Sequence, residues 1–210
     1  EAGLNYSKNV LLKMIHEIKE HEEINIDEVF IKSFGTLIND TKLSPAIKAM
    51  KLSLPSGGVL TQSLEEIEIE IVYEARDALS YSLAVAHKEA LLSAYTLLNT
   101  NEAYNIEGDA IAKRALKNAL LSLLMKTNDP EVIKICENAY SRANNMNDRF
   151  AALSMLSHCS NADEALETFY ERYKENTLVM NKYFATIASS SKVDTLQKVI
   201  EAQSCEKYDS

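Results

Sequence analysis

The sequence predicts an all-α protein. Apolar residues recur at intervals of three and four along almost the whole chain, and the breaks between those stripes carry helix-starting residues. Turn-formers are scarce: the 210 residues include 5 Gly and 3 Pro, about a third of ordinary usage for this length. A protein of many short strands and tight hairpins needs more of them. With 46% hydrophobic residues, the chain can enclose a real core.

Val10, Leu11, Met14, Ile15 and Ile18 form the inner stripe of a first helix. A second is expected to start near Asn25 or Asp27 and to use Val29, Phe30, Phe34, Leu37 and Ile38. Ser44-Pro45 supplies an N-cap and a proline at the first helical position, where its missing N–H is no loss. Leu54-Pro55-Ser56-Gly57-Gly58 reads as a loop. The alternation Glu66-Ile67-Glu68-Ile69-Glu70-Ile71 would by itself indicate a strand. The residues after it overrule that: Val72, Ala75, Leu79, Leu83, Ala86, Ala90, Ala94 and Leu97 predict one long helix over 68–99. The glutamates at its start crowd the positive end of the helix dipole.

From Gly108-Asp109 onward, helix starts are expected at Asp109, Asp129-Pro130, Asn147, Asn161, Thr177 and Lys192. Each interval holds one helix of three to four turns and a short connector, so neighbours should be antiparallel. Expected inner residues are Ile111, Ala115, Leu116, Ala119 and Leu123, then Phe150 and Leu153, then Leu166, Phe169 and Tyr173. Met180, Tyr183, Phe184 and Ile187 follow, and finally Val193, Leu196 and Ile200. Such a train resembles HEAT or armadillo-like superhelices, arrays of short antiparallel helix pairs in which each pair buries its apolar face on the next. Residues 1–210 are read as one helical domain, with N-terminal helices over 1–54, a long-helix region over 59–104 and a helix-pair array over 109–204.

A net charge of -9 disfavours nucleic acid and anionic membrane surfaces as partners. No apolar run approaches the roughly 20 residues of a membrane span, and EAGLNYSKN is not a signal peptide. Three widely spaced cysteines, Cys136, Cys159 and Cys205, form no C-x-x-C pair and fit a reducing, cytoplasmic setting. The first residue is not Met, so the chain is expected to have been cut from something longer.

Few residues offer chemistry. His16-Glu17-Ile18-Lys19-Glu20-His21 comes within one residue of the zinc motif H-E-x-x-H. Two histidines five apart on a helix diverge by about 140°, so they cannot share an ion. His87 has no partner at metal-ligand spacing, and His158-Cys159 are adjacent residues that point about 100° apart. Glu65, Glu66, Glu68, Glu70 and Glu74 read as a solvated helix start. No G-x-S-x-G, Walker loop or dinucleotide-binding glycine pattern occurs. The expectation is therefore no catalytic, cofactor-binding or metal-binding residue in this chain.

Three segments carry a more specific likeness. Ala112-Lys113-Arg114-Ala115-Leu116-Lys117-Asn118-Ala119-Leu120 resembles an AKR-x-L-+-N-x-x-L segment in the C-terminal region of bacterial-type aminopeptidase N. Asn144-Asn145-Met146-Asn147-Asp148-Arg149-Phe150-Ala151-Ala152-Leu153-Ser154 is similar to that family's NNMTD-x-x-AALS. Leu178-Val179-Met180-Asn181-Lys182-Tyr183-Phe184 resembles its LVMDKWF, with Tyr183 in place of Trp and Asn181 in place of Asp. Upstream, Leu52-Ser53-Leu54-Pro55-Ser56 precedes a helix containing Glu74-Ala75-Arg76-Asp77-Ala78-Leu79, as in the family.

The resemblance implies part of a zinc exopeptidase that removes N-terminal residues from peptides. In that family the zinc is held by H-E-x-x-H and a later glutamate, and the substrate amine is recognised near G-x-M-E-N, all in a separate thermolysin-like domain. Neither motif occurs here, so no catalytic or metal residue carries over and zinc belongs to the parent enzyme alone. The resemblance further implies a superhelical wall that packs on the catalytic domain of the same polypeptide and restricts the entry of peptide substrates. The family continues beyond Ser191 with an NPN-x-x-R segment absent here, so the piece is expected to stop short and to expose apolar surface or self-associate at that end. The rival reading is a free-standing helical-repeat module that binds protein partners.

Overall fold

The computed structural model describes residues 2–100, 102–160 and 162–204. Those residues form twelve α-helices and no strand. They are α1 Ala2–Lys19, α2 Glu28–Asn39, α3 Pro45–Leu52, α4 Gly57–Thr61, α5 Ile69–Ala86, α6 Lys88–Leu98, α7 Gly108–Met125, α8 Pro130–Arg142, α9 Met146–Leu156, α10 Ala162–Tyr173, α11 Thr177–Ala188 and α12 Thr195–Gln203. Two compact units result, Glu1–Thr127 and Asn128–Ser210.

Side chains start many of these helices. Asp27 accepts the Val29 N–H at 2.7 Å and the Tyr6 hydroxyl at 2.6 Å, so α2 begins where the second of the two expected caps stands. The Tyr6 hydroxyl and then the backbone N–H of Val29 hold the Asp27 carboxyl below its ordinary value. Ser44, Ser56, Asp129, Asn145 and Asn176 cap α3, α4, α8, α9 and α11 in the same way. The Ser56 cap corrects one expectation: Gly57 and Gly58 open the short helix α4 instead of lying in a loop.

In the first unit α1 packs on α5, while α7 packs on α3, α5 and α6. Val10, Leu11, Met14 and Ile15 are buried on α1, and Val72, Ala75, Leu79 and Leu83 on α5. Helix α7 buries Leu116, Leu120, Leu121, Leu123 and Leu124, one broad face that meets its packed neighbours. Ile111, expected inside, is exposed near the helix start, as is Val29 on α2.

The expected helix over 68–99 is two helices. His87 breaks it, with φ -123 and ψ 20. Its ring stacks on Phe34 at 6.3 Å, and its Nε2 donates to the Ile31 carbonyl at 2.8 Å, so the ring is fastened to α2. Beyond the break the buried face moves on by one residue, to Leu91 and Tyr95, and Leu97 is left exposed.

In the second unit each helix from α8 to α12 packs on the next, which is the linear array expected of helical repeats. The Cys136 thiol meets the Ala152 carbonyl while Arg149 reaches Ala143, so α8 and α9 run antiparallel. The core holds Leu153, Ala162, Leu166, Phe169 and Ile187, with Tyr140, Phe150, Tyr173, Tyr183 and Val199 packed against it. Tyr183 lies 6.4 Å from Phe169 with the rings almost parallel and 5.5 Å from Tyr170, so its ring serves packing. The expected start at Asn161 falls outside the described residues, as does Cys205. Helix α12 begins three residues later than expected, and Val193, Leu196 and Ile200 face outward, the first fully exposed; Val199 is the α12 residue turned to the core.

Burial fixes the thiol chemistry. Desolvation first, then the nearby Cys159 and Glu137, push the Cys136 thiol up to about 12, and desolvation raises Cys159 as well. Both should therefore resist iodoacetamide in the native protein and react after unfolding in urea, as peptide mass spectrometry will show. The folded state favours the neutral thiol, so Cys136's contribution to stability is complete below the ordinary 9.0 and is lost as pH rises from there towards about 12.

Candidate functional site

The segment His16–His21 forms the end of α1 and the turn that follows it. The Glu22 N–H bonds to the Glu17 carbonyl at 2.8 Å and the His21 N–H to the Ile18 carbonyl at 3.1 Å. His21 has φ 56, the left-handed conformation of the residue just past a helix end in a Schellman motif. Glycine usually holds that place because a Cβ costs about 1–2 kcal/mol there. His21→Gly should accordingly raise the urea midpoint, by about 1 kcal/mol of stability; an unchanged or lower midpoint would show that the imidazole itself contributes.

Glu17 is buried, with its carboxylate 3.2 Å from the Lys13 ammonium and 3.3 Å from the Asn25 N–H, and it ties the connector before α2 to α1. His16 is exposed and lines a cavity of about 370 Å3 with Lys19, Glu65, Glu66 and Glu68, over apolar walls that include Leu12, Ile15 and Ile71. Lys19 sits 2.7 Å from Glu66 and 3.0 Å from Glu68. Those two contacts raise its pKa, so the cation beside these glutamates is the protein's own. Glu70 and Glu74 are exposed on the first turns of α5, as expected of a solvated helix start.

His158 lies just past the end of α9, where its Nδ1 accepts the Ser191 N–H at 3.1 Å, so the ring carries a proton on Nε2. Ser190 donates to the Ser157 carbonyl at 2.7 Å, and the two contacts fasten the turn after α11 to the turn after α9. Cys159 beside it is buried. Among the described residues no group of three or more His, Cys, Asp or Glu could hold a metal ion. No described helix is long and apolar enough to cross a membrane.

A site that sequence reading missed lies in the second unit. Helices α8 and α10 form the walls and α9 the floor of a cleft of about 480 Å3. Glu137, Asn138, Tyr140 and Ser141 line it from α8, Arg149 and Leu156 from α9, and Glu164, Ala165, Thr168 and Arg172 from α10. The Tyr140 hydroxyl reaches α10, donating to the Ala165 carbonyl at 2.9 Å and lying 3.0 Å from the Thr168 hydroxyl. Arg149 donates to the Tyr173 hydroxyl at 2.9 Å and to the Ala143 carbonyl. Two glutamates and two arginines thus converge from three helices; their sequence spacing carried no signal, because only the packing brings them together.

All 210 residues match the family described as "Domain of unknown function (DUF3458_C) ARM repeats". The chain belongs to this family. Within it, the chain is 31% identical over 169 residues to Aminopeptidase N of Escherichia coli (strain K12), covering 80% of this chain and 19% of that protein. It is 27% identical over 202 residues to Aminopeptidase N of Caulobacter vibrioides, covering 95% of this chain and 23% of that protein. The ARM-repeat chain therefore spans about a fifth of the length of these relatives. Its fold matches part of the crystal structure of Legionella pneumophila aminopeptidase A in complex with aspartic acid, with a TM-score of 0.85 and 21% identity over 98% of this chain and 25% of that one. The likeness to the C-terminal helical domain of aminopeptidase N, read above from short segments, thus extends over most of the ARM-repeat chain.

Proposed function

We propose that this chain is a non-catalytic helical part of a zinc-dependent aminopeptidase. In this reading it packs on the catalytic domain of the same polypeptide and restricts the access of peptides to the active site. The observation that carries the proposal is the similarity, along 80% and 95% of the chain, to two proteins called Aminopeptidase N that are each several times longer. The parent enzyme would remove N-terminal residues from peptides, with its zinc held outside these residues. A cytoplasmic setting agrees with two buried, free thiols.

The reading frame upstream of Glu1 offers a direct test. It should encode H-E-x-x-H within several hundred codons; a long upstream frame without it overturns the assignment. The gating role has a separate test: the polypeptide that carries this chain should trim short peptides and leave the N-termini of folded proteins intact, and equal trimming of both contradicts a gate. The exposed stripe of Val193, Leu196 and Ile200 fits a surface that further chain covers in the parent. The isolated chain should self-associate through it in sedimentation velocity, with Leu196→Glu restoring the monomer; a monomer at every concentration contradicts that use of the stripe.

A further inference from the structure

We propose that the cleft between α8 and α10 binds a short peptide with both termini free. The charges that line it are sorted by sign. Arg149 bonds to Tyr173 and Ala143, which fixes its guanidinium at the C-terminal ends of α10 and α8, beside Arg172 in the last turn of α10. Both guanidiniums act on the Tyr140 phenol, lowering its pKa against the larger upward push of burial, which agrees with their convergence on that end of the cleft. The acids lie toward the other end. Glu164 precedes Arg172 by eight residues, about 12 Å at the 1.5 Å rise of a helix. Glu137 stands about one turn before Tyr140 on the facing wall.

The two ends are therefore complementary to an ammonium at the glutamates and a carboxylate at the arginines, the second being the pairing for which a planar guanidinium is best shaped. An extended peptide advances at most about 3.3–3.6 Å per residue, so a chain of three or four residues spans about 12 Å. The volume of about 480 Å3 lies within the range of small-ligand sites. Between the ends, the Tyr140 and Thr168 hydroxyls offer fixed polar groups to a peptide backbone. This site goes beyond the gate proposed above and does not depend on it: a chain that is no part of a peptidase would lose the gate and keep the cleft.

The test uses the 210-residue chain and tetra-alanine in isothermal titration calorimetry at low salt, with the N-acetylated and C-amidated peptides as controls. Arg172→Gln and Glu164→Gln alter exposed side chains on α10 and leave the Arg149 anchor in place. Free tetra-alanine should bind, and each capped peptide and each variant should weaken binding about tenfold. Arg172→Gln should add nothing to the loss caused by the C-terminal amide, and Glu164→Gln nothing to that caused by N-acetylation. No binding at millimolar peptide, or binding indifferent to either cap, overturns the proposal, whatever the upstream reading frame contains.

Discussion

Replacing Phe169 by alanine should destabilise the second unit by about 3–5 kcal/mol, the range for truncating a fully buried phenylalanine in a packed core. Phe169 has no exposed surface and stands at the centre of an aromatic cluster, with ring centroids 4.7 Å from Tyr173 and 6.4 Å from both Phe150 and Tyr183. Such pairs add about 0.5–1.5 kcal/mol beyond their burial, and alanine forfeits them together with the apolar area. The helices that meet there come from α9, α10 and α11, so little local adjustment can close the space. Urea unfolding followed by far-UV circular dichroism measures the effect. A loss below about 1 kcal/mol would mean that the core is not organised around this ring.

Gly35→Ala should also destabilise, against the usual sign. In an ordinary helix alanine is better than glycine by about 1 kcal/mol, and the φ at Gly35 is not of the positive kind that needs glycine. The obstacle is the His87 ring: a Cβ built on Gly35 would stand 2.6 Å from its Cε1 and 3.0 Å from its Nδ1. The ring cannot easily retreat, because Nε2 is bonded to the Ile31 carbonyl at 2.8 Å and the face stacks on Phe34. Overpacking of this kind costs about 1–3 kcal/mol. His87→Ala by itself should cost about 1 kcal/mol for the lost hydrogen bond. In the double variant the new methyl enters the space left by the imidazole, so Gly35→Ala should become neutral or stabilising once His87 is gone. Additive effects in that double-mutant cycle would show that ring and glycine are not in contact.

The same pair of residues marks the limit of what sequence alone conveyed about the fold. The helical class was legible because a period of three and four is a local property, and so was the start of α2, where Asp27 caps the helix with its own side chain. The break at His87 was not, since the group its ring bonds to lies on α2, 56 residues earlier at Ile31. Periodicity also does not say which face of a marginal stripe finds a partner. Ile111 and Leu196 repeat as core residues do, yet both are exposed.

The candidate sites divide along similar lines. The spacing rule treats His16 and His21 as residues of one helix, but α1 ends at Lys19 and the rule does not reach His21; in the structure Glu17 anchors the next connector and His21 closes the helix end. The contact between Lys19 and Glu66 joins residues 47 apart and could not be foreseen from either neighbourhood. The cleft was invisible for the same reason, because Glu137, Arg149, Glu164 and Arg172 are ordinary surface residues until three helices bring them round one volume.

The central claim, that these residues form a helical part of a peptidase and hold none of its chemistry, is tested most directly by assaying the isolated 210-residue chain with leucine p-nitroanilide in the presence of zinc. The expected result is no hydrolysis above the zinc-containing buffer. Turnover that requires zinc and disappears with a chelator would place an active site within these residues and contradict the account.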